Sequence, residues 1–319
     1  MDRETLIISI RQDLERTGFF VSEPHLFRGQ SFDLVARRDD TLLVVKVLLN
    51  VDAFGREAAE ELKLVAMTLK ASPVLVGHRS GGGDLEVGVM YSRFGVPIVS
   101  PDTLKEFLDE GVLPYLFSAP GGLYVRLDVA ALQRLRTERA ISLGTLAEIG
   151  GVSRRTIQMY LEGMAANAEI ANRLEEFLGT PLVLPVDPFL RPPDKAEVPS
   201  SWELFERFEK QIFRKLVTLG FDVLPTAHSP FEGFASEPDG GLYLTGVGNA
   251  GEDVGEKATV IAAISRVAER DFVIFMERRR SSFPVRGTPV IDREDLRRLK
   301  DREDLEDMIQ ERKTSQETK

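Results

Sequence analysis

The sequence predicts an α/β plus all-α protein in which two related α/β regions flank a central helical block. Three observations carry this. Continuous apolar runs alternate with helical periodicity over residues 1–122. Residues 123–180 hold short amphipathic segments joined by a glycine turn. The pattern of the first region then returns over residues 201–311.

The first region opens on "LIISIRQDLERTGFF", where Leu6, Ile7, Ile10 and Leu14 fall on one helical stripe. "TLLVVKVLL" is an unbroken apolar run, the pattern of a buried strand over 41–49. "GREAAEELKLVAMTLKA" predicts a helix and "SPVLVGH" a second buried strand. "EVGVMYSRFGVPIVS" supplies one or two further short strands. "SPDTLKEFLDEG" closes the region as a helix, with Ser100 as its cap, Pro101 in its first turn and Gly111 past its end. Strands separated by helices predict an α/β sheet.

The central block reads as all-helical. After it, residues 181–200 form a proline-rich linker, since "TPLVLPVDPFLRPPDKAEVPSS" holds six prolines and predicts an extended connector. In the third region a constant offset of 202 aligns Gly18 with Gly220, Phe19 with Phe221 and Phe32 with Phe234. "VGVMYSRFGVPIVSPDTLKEF" finds its counterpart in "RRRSSFPVRGTPVIDREDLRRL". Residues 312–319 are a polar tail.

Composition excludes several chemistries. There is no cysteine, hence no disulfide, thiolate metal site or cysteine nucleophile. His25, His78 and His228 are too far apart for an H-x-x-x-H metal helix. No segment approaches the roughly 18 apolar residues that span a bilayer, and "MDRETLIISIRQDLERTGFF" lacks a signal-peptide pattern, so a cytoplasmic protein without membrane contact is expected. The net charge of −10 confines any nucleic-acid contact to a local surface.

"LGTLAEIGGVSRRTIQMYLEG" has the spacing of a helix-turn-helix. Ala147 is the small residue where the helices cross. Gly151 supplies the left-handed turn, Val152 anchors it and Ser153 caps the second helix. Leu143 and Leu146 bury the first helix; Ile157, Tyr160 and Leu161 bury the second. The outer face of the second helix then carries Arg154, Arg155, Gln158 and Met159, with Thr156 near its start. Arginine reaches guanine edges or phosphates, glutamine reads adenine, and Ser153 and Thr156 suit phosphates. Residues 132–178 hold six arginines and six glutamates, so a single neutral module is expected to bind double-stranded DNA weakly and salt-dependently. A homodimer with half-sites one helical turn apart would strengthen it. The alternative is a helix-turn-helix used only for packing or dimerisation.

Through Leu146, Ala147, Gly151, Val152, Ser153, Ile157 and Gly163, residues 128–180 resemble the Cro/C1-type helix-turn-helix domain. Two positions depart: many members have glutamine where Leu143 stands and glutamate where Leu161 stands. "FDLVARRDDTLLVVKV" resembles the restriction-endonuclease and Holliday-junction-resolvase superfamily, in which an aspartate and an acid-x-lysine strand hold Mg²⁺. Asp33 and Lys46 match, but Val44 stands in place of the second acid. At the offset used above, Ala235, Gly248 and Gly246 stand for Asp33, Lys46 and Val44, so no metal site is expected in the third region either. The glycine-rich "SGGGD" and "DGGLYLTGVGNAGEDVG" are expected to be flexible loops, and Arg278, Arg279 and Arg280 a solvated strand end. The whole layout resembles a family of archaeal helix-turn-helix transcriptional regulators. This implies sequence-specific DNA binding without catalysis, metal or cofactor, with the two degenerate nuclease-like domains setting dimer geometry or recruiting the transcription machinery. The rival is an Mg²⁺-dependent, structure-selective nuclease targeted by the helix-turn-helix.

Overall fold

The computed structural model describes residues 2–24, 30–191, 205–248, 254–277 and 287–314. In chain order the elements are α1 (Arg3–Arg16), β1 (Phe20–Val21), β2 (Leu34–Arg38), β3 (Thr41–Asn50), α2 (Arg56–Leu69), β4 (Ser72–Ser80), β5 (Gly83–Asp84), β6 (Val89–Arg93), β7 (Val96–Val99) and α3 (Pro101–Glu110). They continue with β8 (Leu116–Ala119), β9 (Gly122–Leu127), α4 (Val129–Glu138), α5 (Leu143–Gly150), α6 (Arg154–Leu161), β10 (Ala166–Asn167), α7 (Ala168–Leu178) and β11 (Val183–Leu184). The last set is α8 (Arg207–Thr218), β12 (Asp222–Pro225), β13 (Gly233–Ser236), β14 (Leu242–Gly248), α9 (Val254–Ala268), β15 (Asp271–Met276), β16 (Val290–Asp292), α10 (Arg293–Arg298) and α11 (Arg302–Thr314).

The chain divides into two compact units, neither continuous in sequence. One is made of residues 1–47, 55–73 and 191–319, the other of 48–54 and 74–190. In the first unit, α1 buries the expected stripe Leu6, Ile7, Ile10 and Leu14, and Asp2 caps it by accepting from the Thr5 amide. The meander β1-β2-β3 is antiparallel. The later part of this unit runs β12-β13-β14-β15-β16, antiparallel through β14 and parallel beyond it. Its core joins Phe208, Ile212, Phe213 and Leu216 of α8 to Val247, Val273, Phe275 and Ile291 of the sheet.

The related order of elements from α1 to α3 and from α8 to α10 makes the two α/β regions copies of one fold, with one change to their alignment. Gly18 and Gly220 do correspond, with φ of 88° and 94° just past α1 and α8. So do Phe19 and Phe221, whose amides bond back to Leu14 and Leu216. The offset then shortens. The Asp33 amide bonds to the Val45 carbonyl, and the Glu232 amide bonds to the Thr245 carbonyl. The ladder continues as Leu34 with Val45 and Gly233 with Thr245. Asp33 therefore corresponds to Glu232, not Ala235. Phe32 corresponds to Phe231, Lys46 to Gly246 and Val44 to Leu244. The chain before β13 is three residues shorter than the chain before β2, which a constant offset cannot follow.

In the second unit, β4 pairs parallel with β7, and β6 pairs antiparallel with β7. β8 adds to β6 in parallel and turns into β9. The central block is thus not all-helical: β9 also pairs with β10 and β11 and lies beneath the helices. The start of the proline-rich segment docks, with Leu182 and Val186 buried and the Val186 amide on the Pro114 carbonyl. "SGGGD" is not a free loop, because β4 runs to Ser80 and Gly83–Asp84 pairs back on it.

The second glycine-rich stretch is also ordered in part, as β14 occupies Leu242–Gly248. Its glycines admit close packing: a Cβ at Gly246 would sit 2.6 Å from Ile261 Cδ1 and 2.7 Å from Ile274 Cδ1, both fully buried. Gly246→Val should therefore cost about 1–3 kcal/mol by overpacking, read as a lowered urea midpoint with unchanged slope. A loop would take the valine without effect.

Candidate nucleic-acid interface

Helices α4 to α7 form the module, and each starts on a side-chain cap. Asp128 accepts from Ala131, Ser142 from Thr145, Ser153 from Thr156 and Asn167 from Glu169. Between α5 and α6 the chain turns at Gly151, with φ 65° and ψ 34°, the left-handed geometry glycine adopts at no steric cost. The Val152 amide bonds back to the Ala147 carbonyl and closes the turn. Leu146, Ala147, Ile157, Tyr160 and Leu161 are buried with Leu132 and Leu135 of α4 and Leu174 and Leu178 of α7. Leu143 and Val152 are half-buried at the margin of that core. Burial holds the Tyr160 phenol above its ordinary pKa, so it stays neutral.

With that face inward, the helical period turns Arg154, Arg155 and Gln158 outward, and all three are exposed. Met159 and Thr156 are half-buried, so Met159 presents only part of its side chain. Ser153 and Thr156 share a hydroxyl contact of 2.9 Å at the helix start. Gln158 donates to Glu162 Oε1 at 3.0 Å, which holds its amide along the helix. Arg154 folds back toward α5: a Cβ on Gly144 would stand 3.1 Å from its guanidinium nitrogen. A side chain at 144 would crowd that approach.

The sequence reading missed several supports. Gly150 is buried, and a Cβ there would be 3.3 Å from Val152 Cγ2 and 3.4 Å from Ile170 Cγ2, a tight fit that favours a small residue beside Gly151. Gln133 donates to the Leu161 carbonyl and Arg139 to the Leu178 carbonyl, tying α4 to the ends of α6 and α7. Glu175 accepts the amides of Leu182 and Val183 and holds β11 in place. The paired glycines were visible in the sequence; the polar ties, made across 28 to 39 residues, follow no local pattern.

The nuclease-like positions hold ion pairs. Asp33 is fully buried. Its Oδ2 accepts the Val47 amide at 2.7 Å, and its Oδ1 takes Lys46 at 3.3 Å and the Arg3 guanidinium. Lys46 also donates to the Gln30 carbonyl at 2.6 Å, and burial lowers its pKa. Both carboxylate oxygens are thus engaged, Arg3 brings a fixed positive charge to the position a cation would take, and Val44 offers no second ligand. The residues do not fit Mg²⁺, which requires hard oxygen ligands. Among the described residues no cluster of three His, Asp or Glu side chains could hold a metal. In the second copy, Glu232 repeats the arrangement: Oε2 accepts the Val247 amide at 2.6 Å, and Oε1 takes Lys257 at 2.7 Å. Here the ammonium comes from α9 instead of the strand. Burial pushes the Glu232 carboxyl up to about 7, against the pull of Lys257. Arg278, Arg279 and Arg280 lie outside the described residues, as does His25.

Comparison with known proteins agrees with this layout. Residues 3–114 match the model of the PD-(D/E)XK superfamily domain, and residues 132–184 match a helix-turn-helix model. Relatives named "Putative HTH-type transcriptional regulatory protein" occur in Haloarcula marismortui (36% identical, 98% of both chains covered) and Methanocella arvoryzae (36%, 97% of this chain and 96% of the relative). Methanosarcina mazei has another, 37% identical, with 99% of this chain and all of the relative covered. No solved structure matches. Among the described residues no helix is long and apolar enough to cross a membrane.

The PD-(D/E)XK match leaves the second copy uncovered, and its ion pair makes a prediction of its own. A carboxyl whose pKa is raised on folding contributes stability fully below about pH 4.5, and that contribution is lost as pH rises through about 7. Lys257→Met removes the charge that limits this loss. The variant should be about 3 kcal/mol less stable than the parent at pH 8, with the gap narrowing at pH 5.5 where Glu232 takes a proton. Urea unfolding at the two pH values measures it; an equal gap at both would contradict the pairing.

Proposed function

The chain belongs to the family of archaeal HTH-type transcriptional regulatory proteins, and on that premise we propose that it binds duplex DNA sequence-specifically through α6 and regulates transcription from the site it occupies. The observation that carries this is the outward row Arg154, Arg155 and Gln158 on a helix whose opposite face is wholly committed to the core. In the major groove Arg155 reaches base edges, and Gln158 reads adenine once its amide releases Glu162. Arg154, folded toward the start of α5, takes a backbone phosphate beside the Ser142 cap. Ser153 and Thr156 face phosphate at the start of α6, where the helix dipole favours an anion. Glu162 next to this surface disfavours close phosphate contact at the far end and limits affinity. Two modules on half-sites about one helical turn apart would multiply a modest single-site affinity.

Catalysis is not part of this reading. The Arg3 guanidinium on Asp33 and the apolar Val44 leave the PD-(D/E)XK position without the donor set a metal-dependent nuclease uses. The two readings separate in one pair of experiments on the full chain. With Mg²⁺ or Mn²⁺ present, duplex and branched DNA should stay intact; cleavage lost on Asp33→Ala would establish the nuclease. In anisotropy titrations against a selected site, Arg155→Ala or Gln158→Ala should cost about 1–3 kcal/mol and relax the preference at one base pair. Arg154→Ala should weaken binding to all duplexes alike and lower the salt slope by about 1. Binding unchanged by all three substitutions would place the DNA contacts elsewhere.

A further inference from the structure

The part of the first α/β copy from α1 to α2 meets the second copy inside one compact unit, and one pair of equivalent residues lies in the contact. Phe32 and Phe231 correspond in the ladder alignment, and their rings touch, with centroids 6.3 Å apart and planes at 50°. Both side chains are fully buried. Beside them the Ser31 amide donates to the His228 carbonyl at 2.6 Å, and the Ser31 and Ser229 hydroxyls stand 3.4 Å apart. A residue in contact with its own counterpart is the mark of an isologous interface, in which one patch meets the same patch across a two-fold axis. Different parts secure this contact at each end. The Glu61 carboxylate of α2 is buried and accepts the amides of Ala227 and His228, at 2.8 Å each, and the Ser229 hydroxyl at 2.6 Å. Arg37 of β2 reaches the end of α9, donating to the carbonyls of Val267 and Ala268 at 2.8 and 3.0 Å. Those carbonyls lie at a helix C-terminus, where a cation is favoured.

We infer that the two nuclease-like copies form an intramolecular dimer about a local two-fold axis at Phe32 and Phe231, so that the face through which one copy would take a second chain is filled by the same chain. On this inference the first α/β region, expected to set dimer geometry or recruit a partner, has part of its surface covered within one chain. Its partner is the 205–248 segment and α9 of its own polypeptide. One chain then brings one helix-turn-helix to each α/β pair. A second chain on an adjacent half-site is held by some other surface.

The absence of cysteine makes the test direct. Ser31→Cys with Ser229→Cys places two thiols where the hydroxyls already approach within 3.4 Å, so a modest rotation brings the sulfurs to bonding distance. Mild oxidation of the full chain should give a disulfide within one chain: a single-chain band on a non-reducing gel, its mass lower by two hydrogen atoms. Ser31→Cys alone should give no linked species. A disulfide-linked pair of chains from either variant, or no disulfide in the double variant, would overturn the inference. Because Ser229 also serves Glu61, the unmodified chain supplies a second readout. The amides of Ser31, Ala227 and His228 should exchange slowly, and at the same rate across a roughly hundredfold range of protein concentration. Protection lost on dilution would show that the face binds a second chain.

Discussion

The turn between α5 and α6 is the constraint on which the functional surface depends. Gly151 is left-handed where the chain reverses, and the small Gly150 lets Val152 and Ile170 pack close over it. Once those two positions are fixed, the rest follows from helix geometry. Ser153 caps α6, so Ile157, Tyr160 and Leu161 fall inward at i+4, i+7 and i+8, and the arginines and Gln158 have nowhere to point but out. The support is not local to the helices. β9 lies beneath them, flanked by β10 and by β8, which pairs with β6, and it also pairs with β11. Within its unit the module is part of a sheet ladder and not a bead on a tether.

In the two α/β copies an acid at equivalent positions is tied to a backbone amide and to a cationic side chain. In each copy an acid at the start of the second long strand accepts the amide of the third, Val47 in one case and Val247 in the other. A carboxylate buried in that way needs a nearby cation, and each copy finds one differently. Asp33 has Lys46 and Arg3, while Glu232 has Lys257 from the following helix. The common element is the bond from the backbone amide to the carboxylate, which joins two strands where the ladder opens. Val44 and Leu244, both fully buried, put apolar surface beside these acids and bring no second negative charge.

Much of this was legible in the sequence. The stripe Leu6, Ile7, Ile10 and Leu14, the run 41–49 and the Ser100–Gly111 bracket announce their elements, because period, burial and caps agree there. The helix-turn-helix was readable for the same reason. What escaped the reading depended on contacts distant in sequence. The strands β9, β10 and β11 are short, and their partners lie about 40 to 60 residues away in the sequence. The glycines of β14 look like a loop until Ile261 and Ile274 are seen against Gly246. Glu232 went unnoticed since a three-residue shortening defeats a constant offset. The ladder reveals it, since hydrogen bonds keep register where residue counting does not.

The central claim is that the outward face of α6 lies in the major groove. Dimethyl sulfate protection on bound duplex tests it most directly, because the reagent methylates guanine N7 in the major groove and adenine N3 in the minor groove. Protection of guanine N7 over a short segment, with adenine N3 still reactive, is the result this account predicts. Unprotected guanines throughout a fully bound duplex, or protection at adenine N3 alone, would contradict it.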